Sequence, residues 1–232
     1  KSTLAKRELL SFGNTQINLV FLSLIRNFAG LNVLCTDFEF ITFEFEFINM
    51  ATNLEKTNEQ FRQALAGCRE LFRKKLQDYG AAWRIMRPSS VTDQIFIKAN
   101  RIRSLEVKGE AFVDEGIYPE FQGIVNYGIV ALIQLELGYA DSTDLTVDQA
   151  MAYYDKYAQQ ALELMIRKNH DYDEAWRSMR VSSYTDLILM KLYRTKEIEA
   201  NDGQTLVSEG VDANYLDMIN YSVFGLIKMG KE

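Results

Sequence analysis

The sequence has 232 residues, of which 47% are apolar and 25% are charged, a balance typical of one or two globular domains. Its net charge of −6 excludes a protein that coats nucleic acid nonspecifically, because such binding requires a dominant cationic surface. The single histidine excludes a metal centre built from several imidazoles, and the two cysteines, which form no disulfide framework and no CxxC pair, favour a reduced cytoplasmic protein.

Residues 1–49 differ in composition from the rest of the chain. Their apolar run, INLVFLSLI, is too short to span a bilayer and has no signal-peptide cleavage site, so we expect no membrane association. The alternation of phenylalanine and glutamate that follows has the periodicity of a strand. A helical pattern begins after Met50, and we interpret residues 1–49 as a non-native or disordered extension upstream of a natural start there.

The remainder of the chain is an internal duplication. The stretch DYGAAWRIMRPSSVTD begins at Asp78 and returns as DYDEAWRSMRVSSYTD at Asp171, an offset of 93 residues. From Asp78 to Glu106, fifteen of twenty-nine residues are identical in the second copy, where unrelated sequences would share about two. We therefore divide the chain into a first repeat, residues 50–140, and a second repeat, residues 141–232, which together form one compact domain.

Each repeat is predicted to contain three main helices. The first, near residues 54–77 and 147–170, has apolar residues at helical spacing, such as Phe61, Leu65 and Cys68. The second begins at SSVTD or SSYTD, whose serine and aspartate have the spacing of a capping box, and a short helix or turn carrying tryptophan and arginine precedes it. The third is the apolar PEFQGIVNYGIVALIQLE or its counterpart NYLDMINYSVFGLI. The predicted fold class is all-α, a helical bundle of two tandem pseudo-equivalent three-helix repeats.

Four basic residues recur in both repeats. Arginine suits bidentate contact with phosphate or carboxylate, and a lysine and an arginine three residues apart share one face of the second helix. Their recurrence favours a ligand site, while surface charge or ion pairing with nearby acids is the alternative for each residue. The candidate phosphate-binding residues are Arg84, Arg87, Lys98 and Arg101 with their counterparts Arg177, Arg180, Lys191 and Arg194.

Aromatic side chains recur beside these arginines. Tyr79 precedes Trp83 by four residues, as Tyr172 precedes Trp176, so that each pair lies on one helix face. Such rings could stack on a nucleobase, or they could be amphipathic core residues with one satisfied polar atom. We favour the core for the two tryptophans and keep the two tyrosines as candidate ligand-binding residues.

An asparagine recurs inside the apolar third helix of each repeat. Asn126 and Asn220 are both followed by tyrosine and flanked by aliphatic residues. A buried amide requires hydrogen-bond partners, which either a ligand or the interface between the two repeats could supply. Both interpretations remain open at this stage.

The acidic residues suggest a magnesium site. Mg²⁺ binds a few carboxylate oxygens and keeps water and substrate phosphates as its other ligands, so acids from several helices could converge on it. An E-x-x-D pair is divided between the repeats as Glu120 and Asp217, which fits either one composite site or two partly decayed sites. The tentative metal ligands are Asp78, Asp171, Glu115, Glu209 and Asp217.

The repeated blocks resemble a known family, the nucleotide modification associated domain 1 family, across about Glu55 to Met229. The features that carry the resemblance are D-Y-x-x-A-W-R-x-M-R and I/V-N-Y, each present twice. The resemblance implies an association with nucleotide modification rather than a particular reaction. A more distant likeness is to the all-α NTP pyrophosphohydrolases of the MazG and dimeric dUTPase type, which hold magnesium with E-x-x-E and E-x-x-D pairs; this chain lacks an E-x-x-E pair.

These observations leave three hypotheses. The chain is a Mg²⁺-dependent nucleotide hydrolase with unknown catalytic residues, a non-catalytic nucleotide-binding or regulatory module, or a structural protein whose repeated polar residues are caps and ion pairs. The recurrence of cations, aromatic rings and acids together favours the first, with a small-molecule nucleotide as partner and a homo-oligomer as a possible assembly.

Overall fold

The computed structural model describes residues 37–109, 116–172, 174–207 and 209–230, with side chains from Asn53 onward. The chain divides into two units, Lys1–Ile48 and Asn49–Glu232. Residues 1–36 of the predicted extension lie outside the described part, whereas the chain from Asp37 to Tyr79 is one helix. The strand periodicity of the phenylalanines and glutamates is therefore wrong as a guide to residues 37–48.

Each repeat contains three α-helices, with a short 3₁₀ turn after the first. The helices of the first repeat are α1 (Asp37–Tyr79), α2 (Pro88–Lys108) and α3 (Tyr118–Leu137). Those of the second repeat are α4 (Val147–Tyr172), α5 (Val181–Ala200) and α6 (Val211–Met229). The 3₁₀ turns are Ala82–Ile85 and Ala175–Ser178. The described residues contain no strand, which confirms the all-α prediction.

Local sequence explains where these helices begin and end. The buried residues of α1 recur every three or four positions, from Phe61 through Leu65 and Cys68, as the sequence predicts. Burial raises the pKa of the Cys68 thiol to about 12, which keeps it neutral within the core. Pro88 occupies the first turn of α2, where its missing N–H has no cost, and Gly109 ends the helix with a left-handed φ of 68°.

The centre of the bundle is the contact between α3 and α6, one helix from each repeat. Helix α3 is buried around most of its circumference, which explains why its sequence is apolar without a polar face. Gly128 allows close approach, because a Cβ atom there would lie 2.7 Å from Cγ1 of Ile219. Within the described residues, no helix combines the length and apolarity needed to cross a bilayer.

Helices α2 and α5 also join the repeats. Their ion pairs come in twos, related by exchange of corresponding residues between the repeats. Asp93 accepts from Lys196 Nζ at 2.6 Å, and its counterpart Asp186 accepts from Arg103 at 2.6 Å. Neither helix has a side-chain cap, and their N-cap residues are arginines. The predicted capping boxes are therefore wrong, since the two aspartates pair across the interface instead.

Candidate functional site

Arg84 holds together the end of the first repeat rather than facing solvent. Its guanidinium is almost fully buried and donates from Nε and Nη2 to Asp144 at 2.7 and 3.1 Å, and from Nη1 to the carbonyl oxygen of Gly138 at 2.6 Å. Gln134 accepts a further bond. The hydrogen bond from Arg84 holds the pKa of Asp144 below its ordinary value. Of the two interpretations that the sequence allows for Arg84, the structure shows the ion pair with an acid.

Arg177 is held in the corresponding way in the second repeat. Its guanidinium donates to Glu174 and Thr57, and to Gln60 Oε1 at 2.9 Å, and lies 4.4 Å from the ring centroid of Trp176. Burial raises the pKa of Glu174, but the hydrogen bonds it accepts from Thr57 and Arg177, and from a neighbouring asparagine, outweigh burial and lower it overall. Arg177 therefore has protein partners for the donors that a phosphate would use.

The two arginines make reciprocal connections between the repeats. Arg84, in the first repeat, binds Asp144 just before α4 of the second. Arg177, in the second repeat, binds Thr57 on α1 of the first. Each 3₁₀ turn thus anchors the opening helix of the other repeat, which accounts for the recurrence of these arginines without a ligand.

Arg87 and Arg180 remain candidate cations. Both are exposed N-cap residues with extended backbone, preceding α2 and α5 respectively. Neither forms an ion pair with any residue that the structure describes. Their exposure leaves both guanidinium groups accessible to an anion.

A groove of about 480 Å³ lies in the first repeat, between the end of α1, the 3₁₀ turn and the beginning of α3. We call it the first-repeat groove. Its residues combine an apolar floor with aromatic and charged groups. The lining includes Phe72, Lys75, Tyr79, Trp83, Met86, Lys98, Glu120, Gly123, Asn126, Tyr127 and Val130. The groove brings together three of the candidate ligand-binding residues, Tyr79, Lys98 and Asn126. It also includes Lys75, which the sequence prediction did not select although it recurs as Lys168.

The aromatic residues of the first-repeat groove differ in accessibility. Trp83 is buried and stays within the core, as does Trp176, which confirms the prediction for both tryptophans. The indole N–H of Trp83 has no hydrogen-bond partner among the described residues. Tyr79 is 56% exposed at the rim, and burial raises the pKa of its phenol, so that it remains a neutral donor. Tyr172, its counterpart, is also exposed.

Cations converge on Glu120 at one side of the first-repeat groove. Lys98 Nζ lies 3.3 Å from Glu120 Oε2, and Arg101 binds the other carboxylate oxygen. Lys98 also lies 5.8 Å from the ring centroid of Tyr127. The buried carboxylate therefore holds two of the predicted phosphate ligands in place and leaves the remaining donors of the Lys98 ammonium free for another acceptor. Lys75 forms no ion pair with a described residue.

The second repeat arranges the equivalent residues differently. Lys191 Nζ lies 2.6 Å from Asp217 Oδ2, and Lys168 binds Oδ1 of the same buried carboxylate. Asn214 replaces Glu120, so that Arg194, the counterpart of Arg101, forms no ion pair with a described residue. Asp217 is thus engaged by lysines, a correction to its prediction as a metal ligand.

The paired asparagines have unequal environments. Asn126 donates to the carbonyl oxygen of Cys68 at 3.2 Å and accepts from the hydroxyl of Tyr154 at 2.9 Å, which connects α3 to helices of both repeats. Asn220 is equally buried, yet neither its amide nitrogen nor its oxygen has a hydrogen-bond partner among the residues that the structure describes. The counterpart of Tyr154 is Phe61, which lacks the hydroxyl. The interface interpretation therefore accounts for Asn126.

The structure does not gather the predicted magnesium ligands. Asp78, Asp171 and Glu209 are exposed, and Asp171 lies 3.1 Å from Nδ1 of His170. Glu115 lies outside the described residues. Over the described ranges, no group of three or more acidic, histidine or cysteine side chains is placed to hold a metal ion.

Comparison with known proteins places the duplication in a family. Residues 75–135 and 168–229, just over half of the chain, each match the sequence model of nucleotide modification associated domain 1. The chain belongs to this family. The two matches confirm the tandem copies, and the description of the family connects it with nucleotide modification without specifying a reaction. No curated protein and no solved structure matches the chain.

The nucleotide modification associated domain 1 matches include the residues that distinguish the two repeats. The first match begins at Lys75 and contains Lys98 and Gly123 of the first-repeat groove. The second begins at Lys168 and contains Asp217. Most of the groove lining, and the lysine–aspartate cluster of the second repeat, therefore lie within the two family matches.

Proposed function

We propose that the chain binds a nucleotide in the first-repeat groove without turning it over. The observation that carries this proposal is that aromatic rings able to stack on a base line the same cavity as two lysines, Lys75 and Lys98. The description of the family, which refers to nucleotide modification, supports a nucleotide as the ligand. We place this binding function in the cytoplasm, where nucleotides are available to a reduced protein.

The aromatic residues suit the base. Tyr79 is accessible at the rim, and Tyr127 lies within the groove, so that either ring offers a face for stacking. Trp83 contributes apolar surface to the lining from its position in the core. A volume of about 480 Å³ falls within the range of small-ligand sites and suits one mononucleotide.

Binding without catalysis is favoured by the positions of the acids. Metal-assisted hydrolysis of a triphosphate uses carboxylates that converge on the ion and leave coordination positions for water and phosphate. Here Glu120 is held by Lys98 and Arg101, and Asp217 by two lysines. The remaining candidates in the described structure are exposed and form no cluster.

Thermal unfolding with a panel of nucleoside mono-, di- and triphosphates, with and without Mg²⁺, tests the proposal. A bound nucleotide should raise Tm, and Lys75→Gln should weaken its binding by about tenfold because a charge-assisted contact to phosphate is lost. Lys74→Gln is the matched control, since Lys74 is adjacent on α1 and pairs with Glu70 at 3.7 Å instead of lining the groove.

Two results would contradict the proposal. The first is a panel in which no nucleotide raises Tm, and the second is Lys75→Gln binding as tightly as Lys74→Gln. Chromatography of the same mixtures detects turnover. Release of pyrophosphate or a shorter nucleotide in the presence of Mg²⁺ would replace the binding module with the hydrolase hypothesis.

A further inference from the structure

The two repeats carry the same lysine pair but place an acid differently beside it. Lys75 and Lys98 of the first repeat correspond to Lys168 and Lys191 of the second. In the second repeat, both lysines bind the carboxylate of Asp217. The residue that corresponds to Asp217 in the first repeat is Gly123, which has no side chain.

Asp217 occupies an anion-binding position between Lys168 and Lys191, which we call the anion seat. Its side chain is only 5% exposed, and Lys191 is almost as deeply buried, so this carboxylate replaces water around the lysine ammonium. A buried ammonium requires a counter-charge and hydrogen-bond acceptors, and the two oxygens of Asp217 supply both. The second repeat therefore shows how Lys168 and Lys191 together bind one carboxylate.

The first repeat has no carboxylate at the corresponding position. The end of Lys98 crosses Gly123, where a Cβ atom would lie 2.6 Å from its Cδ and Cε atoms, and continues to Glu120. Glu120 is one helical turn before Gly123 and is shared with Arg101. Lys75 lines the same groove and has no ion-pair partner in the described structure. The first repeat therefore has no acid at the position of Asp217, and Gly123, which takes that position, lines the cavity.

We infer that the second repeat is closed by its own carboxylate, and that the ligand's phosphate binds beside Gly123 between Lys75 and Lys98. Asp217 then acts as an internal substitute for the phosphate. Each repeat then has a lysine pair that can bind an anion, but the pair of the second repeat is already occupied by Asp217. One ligand therefore binds per chain, in the first repeat. The position of the phosphate rests on the proposed nucleotide binding, whereas the closure of the second repeat does not.

Substitutions that exchange the two repeats test this inference, with inorganic pyrophosphate as the probe in calorimetry. Gly123→Asp places a carboxylate where Asp217 lies in the other repeat, and only the flexible end of Lys98 must shift to admit it. We expect this variant to bind pyrophosphate at least about tenfold more weakly than the unmodified chain. Gly123→Asn, of the same size but uncharged, should retain more of the binding, which separates charge from steric blocking.

The reciprocal change, Asp217→Gly, opens the anion seat. The thermal stability of this variant should fall, because two lysines lose their counter-charge. Millimolar formate or pyrophosphate should restore that stability more than equimolar chloride does. The pyrophosphate stoichiometry should rise from one to two per chain. Asp93→Gly, which removes an exposed aspartate paired with Lys196, is the control that should show no anion-specific rescue.

The outcomes separate the inference from the proposed function. If the unmodified chain binds no nucleotide but formate rescues Asp217→Gly, the proposed function fails while the closure of the anion seat stands. If nucleotides bind and Gly123→Asp leaves their affinity unchanged, the position of the phosphate is wrong. Two equivalents of pyrophosphate on the unmodified chain, or an Asp217→Gly variant that folds without any response to anions, would overturn the closure of the second repeat.

Discussion

At the scale of single residues, the duplicated positions have diverged in their hydrogen-bond partners more than in their identities. Asn126 and Asn220 are the same residue in equivalent helices, but only Asn126 receives a hydroxyl, from Tyr154. Phe61 occupies the corresponding position for Asn220, whose amide is buried and has no partner in the described part of the chain. An unsatisfied buried amide costs free energy, so the second repeat carries a defect that the first does not.

We therefore predict that Phe61→Tyr stabilises the protein. The added hydroxyl should donate to Asn220 as Tyr154 does to Asn126, and one buried hydrogen bond contributes about 1 kcal/mol to the free energy of unfolding. Urea unfolding measures the difference. The same substitution in an Asn220→Leu background should lose the gain, since no acceptor remains; an equal gain in both backgrounds, or a loss of stability, would contradict the assignment.

At the scale of helices, glycine sets how closely the two repeats approach. Gly128 lies on α3 against α6, where a Cβ atom would be 2.7 Å from Cγ1 of the buried Ile219. Gly67 lies on the exposed side of α1, and its Cβ would meet only Gln122 Nε2, at 3.8 Å. Comparison of the two positions therefore distinguishes the effect of core packing on stability from the effect of the low helix propensity of glycine.

Alanine at these two positions should have opposite effects. Gly128→Ala should lower the free energy of unfolding, because overpacking of a dense core costs about 1–3 kcal/mol and exceeds the gain in helix propensity. Gly67→Ala should raise it by up to about 1 kcal/mol through propensity alone. Denaturant titration of both variants provides the comparison. A stabilised Gly128→Ala variant would show that α3 and α6 separate without cost.

The sequence alone predicts these helices well but predicts their partners poorly. Apolar spacing places Phe61 and Leu65 in the core, because a helix presents one face to its neighbours regardless of what they are. Arg84 has its acidic partner Asp144 sixty residues later, and Asp93 finds Lys196 on a helix of the other repeat. Such pairs depend on how helices cross, which local spacing does not encode.

In the candidate site too, the sequence indicates individual residues but not the side chains that they contact. Recurrence identified Lys98 and Tyr79 as residues of interest, since duplicated polar positions persist for a reason that both repeats share. It could not show that Glu120 would hold Lys98, or that Asp217, where the first repeat has Gly123, would bind both lysines of the second repeat. The asymmetry that we propose lies at positions where the two copies differ, and a search for recurring residues passes over such positions.

At the scale of the whole molecule, the repeats are interlocked rather than arranged side by side. The central contacts, α3 with α6 and α2 with α5, each pair one repeat with the other. Arg84 and Arg177 reach across in opposite directions to the opening helices. A repeat alone would expose the apolar surface of its third helix to water. The first repeat alone would also leave the buried Arg84 without its counter-charge, Asp144.

This interlocking predicts that neither repeat folds as an isolated monomer. A fragment of residues 50–140 or 141–232 should lack cooperative thermal unfolding by circular dichroism, because the apolar area that each buries depends on the other. Mixing the two fragments should restore a cooperative transition whose Tm rises with concentration, as expected for an association. Arg84→Leu in the first fragment should lower that Tm, whereas Arg62→Leu, at an exposed position on α1, should leave it nearly unchanged. A cooperative transition in either fragment alone, with a sedimentation coefficient of a monomer, would mean that each repeat is an independent folding unit.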